Sequence, residues 1–374
     1  MGNFINPANV NSFADLVAFK DKDFFVDKTN FIEKIASRIN ATKRLLAVTR
    51  PRRFGKTVTA HMLLAYYSRA YAGTNIFNGL KIADSECYSK HLNQYDVLYI
   101  DMNSINGRYR SYLKRSRKVD GVTSLTDFLE YSVIRDLRRY DNFAACLEDN
   151  DIGNTGLLDA LSALRNDLGI KFIFIMDEWD LVYREFRDNT QLQKDFINLL
   201  KDLFKSDHGL ACFSLAYLTG ILPITKYNSQ SALNNVDEYN MLSPGAFAPF
   251  FGFTEDEVAE IVKHPQCHIS RRELKEWYEG YKINGIEIYN PNSVINAVSR
   301  NECTCYWSGT SSNEEAVRLI NMNFDGIKED ILGLIEGQEI SFNCGRFQND
   351  METIKSKDDV ICLLVCLGYL GCKV

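Results

Sequence analysis

The chain has 374 residues, of which 45% are hydrophobic and 25% are charged, a composition typical of a globular protein. A net charge of −6 and a pI near 5.6 argue against a generally basic, nucleic-acid-coating surface, although a local basic patch stays open. Ten cysteines without a CxxC pair indicate reduced thiols, and no apolar run approaches the roughly 20 residues that span a bilayer. We therefore expect a cytoplasmic protein of two or three domains, without membrane contacts.

Short apolar runs alternate with amphipathic segments between residues 45 and 220. The predicted strands are Leu45–Val48, Val97–Ile100, Phe172–Met176 and Ala211–Leu218. The predicted helices are Lys56–Ala72, Thr123–Tyr140 and Gln191–Lys205. Continuous apolar strands that alternate with helices predict an α/β domain, a parallel sheet with helices on both faces. Ligands of such domains bind at the carboxyl ends of the strands.

The composition changes after Thr225, where a polar stretch rich in Asn and Ser reads as a linker. From Thr254 the sequence "TEDEVAEIVK" predicts a helix that opens with a capping box of Thr254 and Glu257. The remainder predicts further helices joined by short turns. We divide the chain into an α/β domain over residues 1–246 and a smaller, mainly helical domain over 247–374, with a winged-helix-like arrangement as one option.

The stretch "VTRPRRFGKT" (48–57) ends as a phosphate-binding loop ends, yet Arg50 stands where the pattern G-x-x-x-x-G-K-[ST] has its first glycine. This stretch alone fits two interpretations, a basic turn and a nucleotide site. The stretch follows an apolar strand and opens a helix, which aims backbone N–H groups at an anion. In that geometry Lys56 reaches the β- and γ-phosphates of ATP, and the Thr57 hydroxyl ligates Mg²⁺.

A buried strand that ends in acids supplies the second half of such a site. In "KFIFIMDEWD" (171–180), Asp177 is placed to hold Mg²⁺ and Glu178 to orient or deprotonate the attacking water. Thr219 ends the next apolar run, "FSLAYLTGI", where it contacts the γ-phosphate or the water, or else only satisfies a local turn. The two motifs, in this order on an α/β pattern, favour the nucleotide site over the basic turn.

These residues together resemble the AAA-ATPase-like family of bacterial and archaeal proteins, which usually continue into a PD-(D/E)XK nuclease-like domain. The resemblance covers nearly the whole chain and is carried by "FFVDKTNFIEKI" (24–35), "RPRRFGKT" (50–57), "IFIMDEWD" (173–180), "LTGI" (218–221), "FFGFTEDEV" (250–258), "WYEGYKI" (277–283) and "IYNPNSVINAV" (288–298). It implies that Arg50 belongs to a variant P-loop (Walker A) rather than replacing a lost glycine. The sequence stops at "ICLLVCLGYLGCKV", before the nuclease-like domain, so we assign no nuclease role to it.

The resemblance implies ATP and Mg²⁺ as ligands and a set of site residues. The nucleotide-binding candidates in the loop are Arg50, Arg53, Phe54, Gly55, Lys56 and Thr57. Arg50 and Arg53 are expected to add positive charge beside the phosphates, with surface acids as the alternative partners. "FFVDKT" places Asp27 and Lys28 near the adenine. The catalytic candidates are Glu178, Lys56 and Thr219, and the metal ligands are Thr57 and Asp177 (Walker B).

Three functions fit these residues. An ATPase, which converts ATP and water to ADP and phosphate, is favoured because binding alone does not need Glu178. A nucleotide-dependent switch or scaffold with negligible hydrolysis is the second. The third is a nucleic-acid-processing module, because "RYRSYLKRSRK" (108–118) interleaves basic residues with Tyr109 and Tyr112, although charge runs are more often simply solvated. A homo-oligomer is a further alternative. The sequence places no arginine finger, and many relatives of this fold take that residue from a neighbouring subunit.

Overall fold

The computed structural model describes residues 11–20, 24–140, 143, 155–224, 233–306, 314–344, 354 and 356–373. Contacts divide the chain into two compact units. The first unit comprises Met1–Ala47, Thr57–Gly220 and Ala232–Asp237, and the second comprises Val48–Lys56, Ile221–Ser231 and Glu238–Val374. The boundary expected at residue 246 thus lies inside the second unit. That unit also includes the stretch just before Thr57, far from the rest of it in sequence.

The first unit contains most of a five-stranded sheet formed by described residues. Its strands are β1 (Leu45–Thr49), β2 (Asp96–Asp101), β3 (Phe172–Asp177), β4 (Phe213–Gly220) and β5 (Asp237–Tyr239). They lie in the order β2-β3-β4-β1-β5, and β3 runs parallel to both β2 and β4. β1, β3 and β4 are buried along their whole length, which accounts for their continuous apolar sequences. The predicted α/β fold is confirmed.

Helices surround this sheet, joined in chain order to its strands. They are α1 (Ser12–Ala18), α2 (Asn30–Ala36), α3 (Lys56–Tyr67), α4 (Tyr88–His91), α5 (Met102–Leu113), α6 (Leu125–Leu137), α7 (Leu157–Leu168), α8 (Leu181–Glu185), α9 (Thr190–Phe204) and α10 (Asp207–Ala211). α3 ends earlier than the predicted Ala72 because Ser68 turns extended, with ψ 129°. The Ser68 hydroxyl then caps a short 3₁₀ helix by accepting from the Ala70 N–H.

The second unit combines helices with a small sheet. Its elements after the linker are β6 (Phe253–Thr254), α11 (Glu255–Ile261), α12 (Arg271–Tyr278), β7 (Glu279–Ile283), β8 (Ile286–Tyr289), α13 (Pro291–Arg300), α14 (Glu314–Asn321), α15 (Ile327–Ile335), α16 (Lys357–Leu367) and β9 (Cys372–Lys373). The sheet order is β6-β8-β7-β9, with β8 antiparallel to both neighbours and β9 parallel to β7.

Two local sequence signals explain this second unit. The capping box predicted at Thr254 and Glu257 is confirmed at the start of α11. Asn284 and Gly285, with φ of 50° and 77°, make the tight turn between β7 and β8. Both residues tolerate the left-handed region, so Asn-Gly between two apolar runs is a strong hairpin signal. The small sheet is additional to the helices expected here, because its strands are too short to produce a clear alternation.

Candidate functional site

The loop between β1 and α3 contains two residues with a positive φ. Gly55 has φ of +82°, a left-handed conformation that a residue with a side chain adopts only with strain. Arg53 also has a positive φ, of 69°, which costs a non-glycine residue of the order of 1–3 kcal/mol. α3 begins at Lys56, immediately after the turn. The first N–H groups of α3 are therefore presented at the loop, as anion binding requires.

The Lys56 side chain folds back over this loop. Its ammonium donates to the Pro51 carbonyl at 2.9 Å, and the residue is only 4% exposed. The charge is thus held by the loop's own backbone rather than extended into solvent. This places a buried cation at the centre of the turn, beside the start of α3.

Arg50, at the start of the loop, is buried. Its side chain is 1% exposed, and Nη1 donates to the carbonyls of Thr49 and Tyr239 at 2.8 Å each. The guanidinium also lies over the Phe251 ring, 5.2 Å from its centroid. These contacts are to backbone carbonyls and to an aromatic ring. They tie the start of the loop to other parts of the second unit, and a contact of Arg50 with phosphate stays a prediction.

Phe54 and Arg53 connect the middle of the loop to the same unit. Phe54 is 2% exposed and packs edge-on against Tyr281, with ring centroids 5.5 Å apart. It belongs to the second unit's apolar core, with Met241 and Ile288 among its members. Arg53 donates to the Tyr306 carbonyl at 3.3 Å. The residues that distinguish this loop from a glycine-rich one therefore serve to anchor it.

Thr57 and Asp177 meet directly in the first unit. The Thr57 hydroxyl donates to Asp177 Oδ2 at 2.6 Å, across 120 positions of sequence. Asp177 is 1% exposed at the end of β3. A hydroxyl and a carboxylate oxygen are hard ligands of the kind that Mg²⁺ takes from a protein alongside substrate phosphates. The two residues fit the metal-binding role expected of them.

Thr219 and Asp101 lie on either side of Asp177. The sheet pairs Asp177 with Asp101 of β2 and with Thr219 of β4, so the three stand side by side at the carboxyl edge. β4 lies between β1 and β3, which puts Thr219 between the strand that leads into the loop and the strand that carries the acids. Asp101 was not predicted. Its signal was an acid directly after an apolar run, the same as for Asp177.

Glu178 adopts an unusual conformation at the end of β3. Its φ is +57°, which is uncommon for a non-glycine residue. Its carboxylate pairs with the Arg184 guanidinium, which also binds Asp180 Oδ2 through Nε at 3.0 Å. Burial would lower the pKa of Arg184, but Asp180 and Glu178 together raise it above its usual value. Neither Asp180 nor Arg184 was among the predicted site residues, although Asp180 lies within the quoted "DEWD".

Asp27 is engaged in a structural turn. Its Oδ1 accepts from the N–H and hydroxyl of Thr29 at 2.8 and 2.7 Å, and its Oδ2 accepts from the Lys81 N–H at 2.8 Å. The carboxylate thus links the start of α2 to the segment at Lys81. Lys28 is partly exposed, and its carbonyl accepts from the Phe31 N–H. Contacts from Asp27 and Lys28 to adenine stay a prediction.

The basic segment 108–118 lacks the free aromatic faces that base stacking needs. Tyr112 is 2% exposed, and its hydroxyl accepts from the Val119 N–H at 2.8 Å. Tyr109 packs on Phe128, with centroids 5.6 Å apart, and its hydroxyl donates to the Thr123 carbonyl. Both tyrosines therefore fasten α5 to its surroundings. Only the charges of the segment are left to support the nucleic-acid hypothesis.

Comparisons with known proteins agree with this arrangement. Residues 7–229, more than half of the chain, match the model of the AAA-ATPase-like family, described as predicted AAA-ATPases. An uncharacterized protein in the vnfD 5′ region of Azotobacter chroococcum mcd 1 is 23% identical over 286 residues, which are 73% of this chain and 48% of that relative. The chain therefore matches about half of the relative's length. No solved structure matches.

No helix of the described residues is long and apolar enough to cross a membrane. The strand order, the loop between β1 and α3, and the contact of Thr57 with Asp177 give the first unit a P-loop-like α/β fold. On these features and the match to residues 7–229, the chain belongs to the AAA-ATPase-like family.

Proposed function

We propose that the protein binds ATP with Mg²⁺ and hydrolyses it. The observation that carries the proposal is the 2.6 Å hydrogen bond between Thr57 and Asp177. It joins the last residue of the P-loop sequence to the acid that ends β3, which are the two groups that share the metal in P-loop proteins. The match to a family of predicted AAA-ATPases supports the same proposal.

Each residue then has a distinct task. The N–H groups at the start of α3 and the Lys56 ammonium bind the phosphates, and Thr57 and Asp177 hold the metal. Mg²⁺, when bound, neutralises charge on the phosphates and orients them. Glu178 orients the attacking water or accepts its proton. Thr219, in the strand between β1 and β3, contacts the γ-phosphate or that water.

The binding half of the proposal is tested with Lys56→Ala. Removing the ammonium should abolish measurable ATP affinity in isothermal titration, because the charge that faces the outer phosphates is lost. Exposed Lys205→Ala is the matched control and should bind as the unchanged protein does. A folded Lys56→Ala protein with unchanged ATP affinity would contradict the proposed site.

A nucleotide-dependent switch is the second candidate, and one observation favours it. Phe54, inside the loop, is part of the second unit's apolar core. Nucleotide bound at the loop would then bias the packing of that unit, with or without turnover. An ATP-stabilised protein that hydrolyses nothing, alone or with nucleic acid, would support the switch over the enzyme.

Homo-oligomer formation and nucleic-acid binding are finer proposals that one further experiment addresses. ATPase rate is measured against protein concentration, with and without single-stranded DNA. A specific rate that rises with concentration indicates a residue supplied by a neighbouring copy. Stimulation by DNA that weakens as salt increases indicates that the charges of residues 108–118 bind phosphate.

A further inference from the structure

The turn after β3 is fastened to the end of β4. The Trp179 N–H donates to the Thr219 carbonyl at 3.1 Å. A Cβ atom on Gly220 would lie 2.6 Å from Asp180 Oδ1 and from Trp179 Cδ1, closer than real Cβ contacts. Only glycine therefore lets the two segments approach this closely. The turn that carries Glu178 has little freedom to move as a whole.

Arg184 links this turn to the Glu178 side chain through two ion pairs. Asp180, with a side chain 0% exposed, holds Arg184 Nε, and the two residues are one helical turn apart. Nη2, on the same edge of the guanidinium as Nε, pairs with Glu178 Oε2. The side chains of Arg184 and Glu178 are only 10% and 16% exposed. A planar guanidinium holds two partners in a fixed relation, which an ammonium cannot do.

We propose that Arg184 is a positioning residue for Glu178. This inference rests on the proposed function, in which Glu178 orients the attacking water. With Oε2 held by Arg184, the direction of the other carboxylate oxygen is set by the chain Asp180–Arg184–Glu178 rather than by free rotation of a glutamate side chain. Phosphoryl transfer depends mainly on such positioning.

The rival explanation is that Arg184 only neutralises buried Asp180. In that case its loss would destabilise the protein and leave the chemistry of correctly folded molecules unchanged. Arg184→Met removes the charge and is the obvious variant, but it leaves Asp180 buried without this partner and is at risk of not folding. Arg184→Lys keeps a positive charge beside Asp180 and removes the fork, so it decides the question if the Met variant fails to fold.

The experiment measures single-turnover ATP hydrolysis and equilibrium ATP affinity of the full chain. We expect Arg184→Lys to hydrolyse at least ~10-fold more slowly, with ATP affinity within about twofold of the unchanged protein, since misplacing a reacting group costs up to ~10²-fold in rate. Arg187→Met removes an exposed arginine from the same segment and should leave both quantities unchanged.

A double-mutant cycle separates positioning from a general structural effect. If Arg184 acts through Glu178, Arg184→Lys should cause no further loss in a Glu178→Gln background. Equal slowing in both backgrounds would overturn the inference, as would a folded Arg184→Lys protein that hydrolyses at the unchanged rate or faster. Absence of hydrolysis by the unchanged protein would instead overturn the proposed function, and this inference with it.

Discussion

Asp177 and Glu178 are neighbours in the chain but lie in different surroundings. Asp177 is buried and accepts a hydrogen bond from the Thr57 hydroxyl. Glu178 turns away through a positive φ and pairs with Arg184. The change of backbone conformation between two adjacent acids is what sends their carboxylates in separate directions. Their substitution should therefore affect different steps.

Exchanging each acid for its amide tests this division. Asp177→Asn should weaken binding of Mg-ATP, because the carboxylate of the proposed metal site is lost. Glu178→Gln should bind ATP about as tightly as the unchanged protein but turn it over at least ~10²-fold more slowly, the lower end for a positioned acid–base group. Equilibrium binding and single-turnover rates are measured for both. Normal turnover by Glu178→Gln would contradict its role.

His61 provides a residue-scale prediction about pH. Its Nδ1 accepts the Ser12 N–H at 3.0 Å, and its Nε2 lies 3.0 Å from the Tyr99 hydroxyl, an arrangement made for a neutral ring. Burial lowers the pKa of His61 below 6.5, against the opposing effect of Asp101 and Asp15. The unfolded chain therefore binds this proton more readily than the folded one.

Stability from His61 is present above the unfolded pKa and is lost as the pH falls through about 6.5, by at most about 1.4 kcal/mol per pH unit. Urea unfolding at pH 7.5 and pH 6 measures the loss. His61→Gln should show a smaller loss over this interval, whereas exposed His208→Gln should keep the full one. An identical pH dependence of the His61→Gln protein and the unchanged protein would refute the assignment.

At the scale of elements, the loop between β1 and α3 is held by packing in addition to the glycine at position 55. Arg50 bonds the Tyr239 carbonyl, and Phe54 packs on Tyr281. A glycine-rich loop obtains its shape from backbone freedom, at a cost in entropy on folding. This loop has one such residue, Gly55, and is held besides by the buried side chains of Arg50 and Phe54, while Pro51 restricts it further.

Phe54→Ala measures that anchor. Loss of a buried phenylalanine should lower the free energy of unfolding by about 3–5 kcal/mol and weaken ATP binding, because the loop loses its support. Phe19→Ala removes a phenylalanine that is 51% exposed and should change stability by less than about 0.5 kcal/mol. Chemical unfolding and titration with ATP provide both readings. Unchanged ATP affinity in a destabilised Phe54→Ala protein would show that the packing of Phe54 is not required for ATP binding.

At the scale of the whole molecule, the two compact units are not consecutive pieces of sequence. The second unit takes in residues 48–56 from the N-terminal half, together with 221–231 and everything after 237. Its apolar core includes Phe54 beside residues of α16 such as Ile361 and Leu364. A cut in the chain after the predicted domain boundary would therefore remove most of the second unit, to which residues 48–56 belong.

A fragment of residues 1–246 should not behave as an independent ATP-binding domain. It retains Tyr239 but loses Phe251, Tyr281 and Tyr306, which contact Arg50, Phe54 and Arg53. We expect the fragment to aggregate or to unfold without cooperativity, as followed by circular dichroism and size-exclusion chromatography. A monomeric fragment that unfolds cooperatively and binds ATP as the full chain does would show that these contacts are dispensable.

The sequence by itself determined the local and repetitive features. Continuous apolar runs predicted β1 to β4, because strands covered on both faces need apolar residues at every position. Short local motifs could be predicted as well, because each depends only on residues close together in the chain. They are the Thr254 capping box, the glycine before Lys56 and the acids at the end of β3. The pairing of Thr57 with Asp177 followed once both motifs were placed at strand ends.

Only the tertiary structure decided which partner each charged or aromatic loop residue takes. Arg50 meets Tyr239 and Glu178 meets Arg184 through backbone turns whose direction no periodicity encodes. Sequence spacing shows only which residues are neighbours along the chain. Burial and hydrogen bonding decide which of the residues brought together by the fold become partners. Arg50, Arg53 and Phe54 therefore anchor the loop within the second unit, a role that only the folded structure makes visible.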